Sequence, residues 1–508
     1  MSDESVATLL RSNEPLVVVE AAAGCGKTFQ GASYAKDVVG SLGSGRLLIL
    51  THTHAACAVF AARTKGAGAM VEIKTIDALI AQIATAYHHP LGLPRDLASW
   101  AWHDGGRGFD IMAAKVAAFL RLRPIIARTL AQRYPIVICD EHQDSTPDQH
   151  SVVMALRDGG AMLRIFGDPL QNLYGGKTDK AARVDRARWE SLKDAGASDK
   201  LDTPHRWRDG CPALGNWILT ARAFLETGQP IDLTGSLPQS LHIMIGNNTA
   251  QTPTGYQLSG LHRSPIDKMV QSAEQIMILA SQNYLVAALR PFWNRRIPIW
   301  EGHTRDALAL LVEVLRDSTG HPAPLAEGLT AFVNRVAVGF TKVYSDRLLH
   351  ETTTGAVRSA KGVPANIQAI ARCLLSEPTH KGMADALALI HAFIENKTAG
   401  FDGVKIDQRA EFMDAIRMRQ FSDADEAFRE IARRRSYAHP SPPKRVLSNI
   451  HKAKGLECDN VLIMACDKVQ FTTTSYARCK MYVALSRARK SLSLVIPDSN
   501  PSPLFKLS

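Results

Sequence analysis

The stretch Leu16 to Thr28, L-V-V-V-E-A-A-A-G-C-G-K-T, constrains the fold more than any other part of the chain. Leu16 to Val19 predict a short buried strand, and Gly26-Lys27-Thr28 open a helix predicted over Phe29 to Val38. This is a phosphate-loop pattern, with Ala21 where the commonest form has glycine. Small residues at Ala23, Gly24 and Gly26, with Cys25 among them, let backbone N–H groups wrap phosphate oxygens. The helix N-terminus adds partial positive charge at the same place. Lys27 can reach the β- and γ-phosphates, and the Thr28 hydroxyl can ligate Mg²⁺. Residues Ala23 to Phe29 are therefore the candidate nucleotide-binding segment. A chance Gly-Lys-Thr turn is the competing reading, and the flanking strand and helix separate the two.

The rest of the chain predicts an α/β protein. Leu47 to Leu50 form a second buried strand ending at Thr51-His52-Thr53-His54, followed by an Ala-rich helix, Ala55 to Arg63. Val71 to Asp77 predict a third strand running into a polar turn, and Ala78 to Arg123 are helical. Pro135 to Cys139 predict a parallel-type strand that ends in the adjacent carboxylates Asp140 and Glu141. Beside a phosphate loop, Asp140 is placed to hold Mg²⁺ and Glu141 to accept a proton from attacking water. The competing reading is a helix N-cap pair. Leu163 to Phe166 predict another strand, ending in Gly167-Asp168-Pro169.

A second α/β segment starts with the strand Ile276 to Ala280, a helix Leu285 to Trp293 and a short strand Ile297 to Ile299. Arg305 to Ala438 read as mainly helical, closed by the turn His439-Pro440-Ser441-Pro442-Pro443. Strands then resume at Val446-Leu447, Val461 to Met464 and Leu492 to Ile496, with a helix running through Met481 to Arg489.

Lys+Arg 60 against Asp+Glu 49 gives a net charge of +11, which favours a polyanionic partner such as nucleic acid. No apolar run predicts a membrane span, and Met1 to Asn13 lack a signal-peptide build, so a cytoplasmic location is expected. Eight scattered cysteines without a C-x-x-C pair fit reduced thiols and argue against zinc or iron–sulfur chemistry.

Eight strings, taken in order, carry a resemblance. They are A-A-A-G-C-G-K-T, L-T-H-T-H-A-A, K-T-I-D-A-L, I-C-D-E-H-Q-D, F-G-D-P-L-Q-N-L-Y, L-D-T-P-H-R, I-H-K-A-K-G-L-E and Y-V-A-L-S-R-A-R. Together they resemble the UvrD/Rep type of superfamily 1 DNA helicase over nearly the whole chain. The resemblance implies two RecA-like domains with parallel sheets, at 1–80 with 124–208 and at 209–304 with 444–508. It also implies smaller helical insertions at 81–123 and 305–443, and ATP with Mg²⁺ in the cleft between the domains.

By position in those strings, Gln171 resembles a γ-phosphate sensor, and Arg206 and Arg487 resemble arginines that neutralise the transferring phosphoryl group. A surface salt bridge is the alternative for each arginine. Gly455 and Glu457 would couple the second domain to the nucleotide, and His205 would stack on the base. His52, Thr75, Tyr174 and His451 fall at positions that touch single-stranded DNA in the family. Stacking a base on Tyr174 is sequence-tolerant because every base has a π-face; a core tyrosine is the alternative.

The chain departs from the pattern in places. The N-terminal L-N-x-x-Q that reads adenine is missing, and N-Y-R-S becomes Pro204-His205-Arg206-Trp207, so the resemblance does not fix which base is read. Gly175-Gly176-Lys177 replace the strand-separating aromatic, and Ala477 replaces a glutamate. The implied function is an ATP-dependent 3′–5′ single-strand translocase and helicase acting on single-stranded or partly duplex DNA. The alternative is a DNA-sensing regulatory ATPase of an antiphage defence complex of the Gabija type, beside a nuclease subunit. No nuclease motif follows Ile496, so cleavage would have to come from such a partner.

Overall fold

The computed structural model describes residues 2–101, 107–246, 248–252, 255–259, 263–302, 305–438 and 441–507. His439 and Pro440 of the proline-rich turn lie outside the described residues. The chain divides into two compact units, Met1–Leu91 with Met112–Trp300 and Ser441–Ser508, and Gly92–Ile111 with Glu301–Pro440.

The larger unit holds two parallel sheets. In the first, helix α1 (Ser2–Leu10) precedes β1 (Leu16–Ala21), and the phosphate-loop segment leads into α2 (Lys27–Val39). Next come β2 (Leu47–Thr51), β3 (Val71–Thr75), α3 (Ile76–Ala86), β4 (Ile136–Cys139), α4 (Pro147–Asp158), β5 (Met162–Gly167), α5 (Asp179–Asp194) and β6 (Ala197–Leu201). The spatial order is β3-β2-β4-β5-β1-β6. Every pairing is parallel, with Val18 opposite Ile165 and Ile138 opposite Arg164. Strands β1, β2 and β4 are buried along their whole length, which is why each reads as an unbroken apolar run rather than an alternation. Parallel pairing brings the C-terminal ends of β1, β4 and β5 to one edge, where open α/β sheets bind ligands.

Two local readings are corrected here. Ile76 and Asp77 do not extend the third strand. The Thr75 hydroxyl accepts from Ala78 N–H and caps α3, so the helix starts at Ile76. Strand β6, A-S-D-K-L, was not legible, because it is an edge strand with polar side chains. Arg164 looks like a misplaced charge in β5 and is fully buried. Its guanidinium donates to the carbonyls of Leu10 at 2.7 Å, Ser12 at 2.8 Å and Glu14 at 2.8 Å, which fixes the C-terminal end of α1 against the sheet.

The second sheet follows α6 (Pro212–Thr227). Its strands are β7 (Leu241–Gly246), β8 (Ile276–Ala280), β9 (Arg445–Asn449), β10 (Cys458–Ile463) and β11 (Ala488–Pro497), with α7 (Ser475–Leu485) before β11. The order is β9-β8-β10-β11-β7, again parallel throughout. The helix expected through Arg489 ends at Leu485; Ser486 is its C-cap, and Ala488 and Arg489 already belong to β11. Ile297 to Ile299 make only a single bridge, Ile299 to Leu447. The expected fold class, α/β with two parallel sheets, is the observed one.

The smaller unit is mainly helical, running from Asp306–Ser318 to Ala424–Ala438 around Leu308, Leu311, Leu329, Phe332 and Phe412. Inside it Arg305 pairs with Asp414 at 2.8 Å, and Glu411 accepts from Leu308 N–H at 2.8 Å. Among the described residues no helix is long and apolar enough to cross a membrane.

Candidate functional site

The phosphate loop is shaped by backbone that only glycine adopts comfortably. Gly24 has φ +74°, and a Cβ there would stand 2.8 Å from Arg206 Cβ and 2.9 Å from the Trp207 ring. The turn His205–Trp207 is thus packed directly on the loop, and Arg206 N–H donates to Gly24 O at 3.1 Å. Ala23 N–H donates to the Tyr482 hydroxyl at 2.8 Å, across from α7 of the second sheet. Burial pushes the Cys25 thiol up to about 12, so it stays protonated. Thr28 is half-buried in the first turn of α2, while Phe29 is 64% exposed.

Lys27 reaches from the loop to the acidic pair. Its Nζ donates to Ala21 O at 3.0 Å and stands 3.5 Å from Glu141 Oε1. The other Glu141 oxygen accepts from Gln143 Nε2 at 2.6 Å. Glu141 is held in the left-handed region at φ +53°, a conformation costing a non-glycine residue about 1–3 kcal/mol. Burial raises its carboxyl, but Lys27, Lys454, the Gln143 hydrogen bond and Arg487 outweigh it, leaving Glu141 ionised. Burial and then the neighbouring Glu141 charge push Asp140 the other way, upward.

Asp140 is buried, and its Oδ1 has no hydrogen-bond partner. An orphaned carboxylate oxygen beside a phosphate loop fits a hard cation. Among the described residues no cluster of three or more His, Cys, Asp and Glu side chains could hold a metal alone. Mg²⁺ is such a cation, taking one or two protein ligands, water and phosphate oxygens. Asp140 and Thr28 are the residues that would hold it.

The second half of the site comes from the other sheet. Arg487 is 2% exposed and follows the α7 C-cap, not a continuing helix. It donates to Val483 O at 2.9 Å, Leu456 O at 3.1 Å, Ser486 Oγ at 2.8 Å and Gln171 Oε1 at 3.4 Å. Burial, then Arg206, lower it to about 10, so it remains charged at neutral pH. Gln171 in turn donates from Nε2 to Asp168 Oδ2 at 2.9 Å. Arg206 pairs with Glu457 at 2.6 Å and donates to Ser486 O at 2.5 Å. Gly455 has φ +83° and turns the chain between Lys454 and Glu457. Gln143 Oε1 accepts from Asp168 N–H at 3.0 Å, and through Gln143 and Asp168 the residues Lys27, Glu141, Gln171, Arg487, Arg206 and Glu457 form one connected array.

Several residues in contact with that array were not singled out from sequence. Lys454 is the central one. Its ammonium pairs with Asp144, donates to Gln171 O at 2.7 Å, and lies 5.4 Å from the Tyr174 ring centroid. Asp168 is fully buried between Gln171 and Arg222, the latter at 2.9 Å. Tyr482, Asp144, Asp168 and Lys454 all lie inside the quoted strings, but nothing in their spacing says that they meet.

The four residues expected on the DNA side differ among themselves. Tyr174 is 58% exposed, so it is not a core tyrosine. His451 Nε2 shares a hydrogen bond with the Tyr476 hydroxyl at 2.7 Å, and His52 Nε2 with Ser145 Oγ at 3.1 Å. Burial, with nearby lysines, lowers both imidazoles to about 4, so they are neutral donors or acceptors, not cations. Thr75 is buried as a helix cap. Gly175 and Gly176 are packing requirements. A Cβ at Gly176 would stand 1.9 Å from Ala181 Cβ, and one at Gly175 would stand 2.4 Å from Asp185 Oδ2.

Residues 4–177 match the family model of an AAA domain, and residues 445–495 match that of the UvrD-like helicase C-terminal domain. Over 105 residues the chain is 33% identical to the RecBCD enzyme subunit RecB of Mycolicibacterium smegmatis. That match covers 20% of this chain and 9% of the relative's length.

Proposed function

We propose that this UvrD/Rep-like chain, with its AAA-domain and UvrD-like helicase C-terminal matches, is an ATP-driven motor on single-stranded DNA moving 3′–5′. One observation carries the reading. Lys454 and Arg487 of the second sheet both donate to Gln171 of the first, beside the Lys27–Glu141 contact of the phosphate loop and acidic pair.

The geometry supports a division of labour. Backbone N–H groups of the loop between Gly24 and Thr28 and the Lys27 ammonium bind the triphosphate. Asp140 and Thr28 would hold Mg²⁺, whose contribution is to neutralise charge on the β- and γ-phosphate oxygens. Glu141, ionised by its cationic neighbours, takes the proton of the attacking water. Arg487 and Arg206 offset charge that develops on the transferring group, and Gln171, steadied by Asp168, orients there. Lys454 touches both Gln171 and the exposed Tyr174 ring, so a base stacked on Tyr174 disturbs the same cation that braces the phosphate end. That is a direct route from DNA binding to hydrolysis.

The packed Gly175–Gly176 turn favours a second reading, a DNA-sensing ATPase that serves a partner nuclease and unwinds little, because backbone stands where an aromatic wedge would be needed. The partial likeness to a subunit of a multi-subunit enzyme supports a partner in the same way.

The experiment is ATPase activity with and without single-stranded DNA, alongside strand displacement on 3′- and 5′-tailed duplexes. DNA-stimulated hydrolysis with displacement only from the 3′-tailed duplex is expected of the motor. Stimulated hydrolysis without displacement selects the sensing reading, and hydrolysis indifferent to DNA defeats both.

A further inference from the structure

The γ end of a triphosphate on the loop is marked by Glu141, Gln171 and Arg487, so its nucleoside leaves on the opposite side, over the first turn of α2. Three residues bear on that turn. Phe29 exposes its ring one residue beyond Thr28. The His205 ring lies against the loop, with Cδ2 3.2 Å from where a Gly26 Cβ would stand. Asp3, in the first turn of α1, accepts from His205 Nε2 through Oδ2 at 2.7 Å, and its backbone carbonyl accepts from Gln30 Nε2 at 3.1 Å.

The partners fix the protons. Arg208 can only donate, so His205 Nδ1 accepts from it, and Nε2 carries the hydrogen toward Asp3. One Asp3 oxygen is thereby used. The other, Oδ1, is shielded from solvent and has no hydrogen-bond partner. It is held in place, because α1 is clamped at its far end by Arg164 and tied near its start by Ser5 Oγ donating to Asp199 at 2.5 Å.

We propose that Asp3, oriented by His205, reads the base of the bound nucleoside triphosphate, and that the site takes guanine at least as well as adenine. The proposal rests on the phosphate-site reading above. A side-chain amide pairs bidentately with adenine because it both donates and accepts. A carboxylate only accepts. Guanine presents two adjacent donors, N1–H and N2–H, to such a group, whereas adenine presents its exocyclic amine beside an acceptor nitrogen. The orphaned Oδ1 is the acceptor that guanine satisfies, and Phe29 with His205 supplies aromatic surface indifferent to base identity.

The test is equilibrium binding of non-hydrolysable ATP and GTP analogues, and of inorganic tripolyphosphate, to the full chain. Wild type should bind the GTP analogue at least as tightly as the ATP analogue. Asp3→Asn should weaken the GTP analogue about 10-fold or more, the worth of one hydrogen bond to a charged group. The same variant should bind the ATP analogue as tightly as wild type or more tightly and leave tripolyphosphate unchanged, which also shows an intact loop. His205→Phe should lower GTP-analogue affinity in the same direction while keeping the aromatic surface. An ATP preference above about 10-fold in wild type, or equal losses for both analogues or for tripolyphosphate in Asp3→Asn, overturns the proposal. Failure of wild type to bind any of the three overturns the phosphate-site reading as well, so the two failures are told apart.

Discussion

The two parallel sheets of the larger unit share a build and differ in what their strand ends carry. The first ends in backbone N–H groups and acids: the phosphate loop, Asp140, Glu141, Asp144 and Asp168. The second contributes Lys454 and Arg487, with Tyr482 reaching back to Ala23 N–H. In the function we propose, the first sheet binds a phosphate and a cation and activates water, and the offset of charge on the far side of the γ-phosphoryl falls to the second. The second can supply that offset and has no phosphate loop of its own. On that proposal neither half hydrolyses ATP alone, and a DNA contact that changes how the halves meet changes turnover.

Removing the second sheet's cation should give the largest effect. Arg487→Ala should lower ATP turnover about 10³–10⁵-fold while a fluorescent ATP analogue still binds. Arg487→Lys should recover little, because an ammonium cannot reproduce the planar fork that reaches Gln171 and Leu456 O together. Near-normal turnover in a folded Arg487→Ala variant would return this residue to a purely structural role.

On the other side of the comparison, Glu141→Gln should retain nucleotide binding and lose about 10²–10⁴-fold in turnover, since only the proton acceptor goes. If Lys27→Ala impairs binding and Glu141→Gln does not, the first sheet separates holding from hydrolysis. Equal loss of binding in both variants would mean that Glu141 mainly positions Lys27 through their 3.5 Å contact.

The cross-sheet pair ranks next. Asp144 is 8% exposed, and burial raises its carboxyl to about 6 in spite of Lys454. Lys454→Ala strands that carboxylate, at a cost of about 3–5 kcal/mol, read as a lower denaturation midpoint. Lys454→Met with Asp144→Leu should restore much of the midpoint but not DNA stimulation of the ATPase. Restored stimulation in the double variant would remove Lys454 from the coupling route.

How far all this was readable depends on what kind of signal each residue left. Buried strands β1, β2, β4 and β5 announced themselves as apolar runs ended by functional residues, and Lys27, Asp140 and Glu141 came with their strands. Strand β6 hid because its outer side chains are polar, and Arg487 was put on a helix because Leu485-Ser486-Arg487-Ala488 keeps helical composition past the cap. Lys454 with Asp144, Tyr482 with Ala23, and Asp3 with His205 are separated by hundreds of residues in sequence. Their meetings are set by how the elements pack, and no local periodicity records them. Arg164 is the reverse case: a charge in a buried strand that only the carbonyl ends of α1 explain.

The smallest effect belongs to the DNA side, where the comparison sharpens most. His451, His52 and Thr75 already spend their polar atoms on Tyr476, Ser145 and a helix cap. Tyr174 alone of the four offers an open face, at 58% exposure, and its ring already attracts the Lys454 ammonium. Tyr174→Ala should therefore weaken single-stranded DNA binding by about 1–3 kcal/mol with little dependence on sequence. Because the lysine also braces Gln171, the variant should lower DNA stimulation of the ATPase more than its weakened affinity accounts for at saturating DNA. Tyr174→Phe should behave like wild type, since the stacking face and the cation contact survive. Thr75→Val should act on thermal stability through the lost cap, by about 0.5–2 kcal/mol, more than on DNA affinity. Should Thr75→Val cost more DNA affinity than Tyr174→Ala, the strand runs over β3 rather than over the turn after β5, and Lys454 loses its claim to link the two sites.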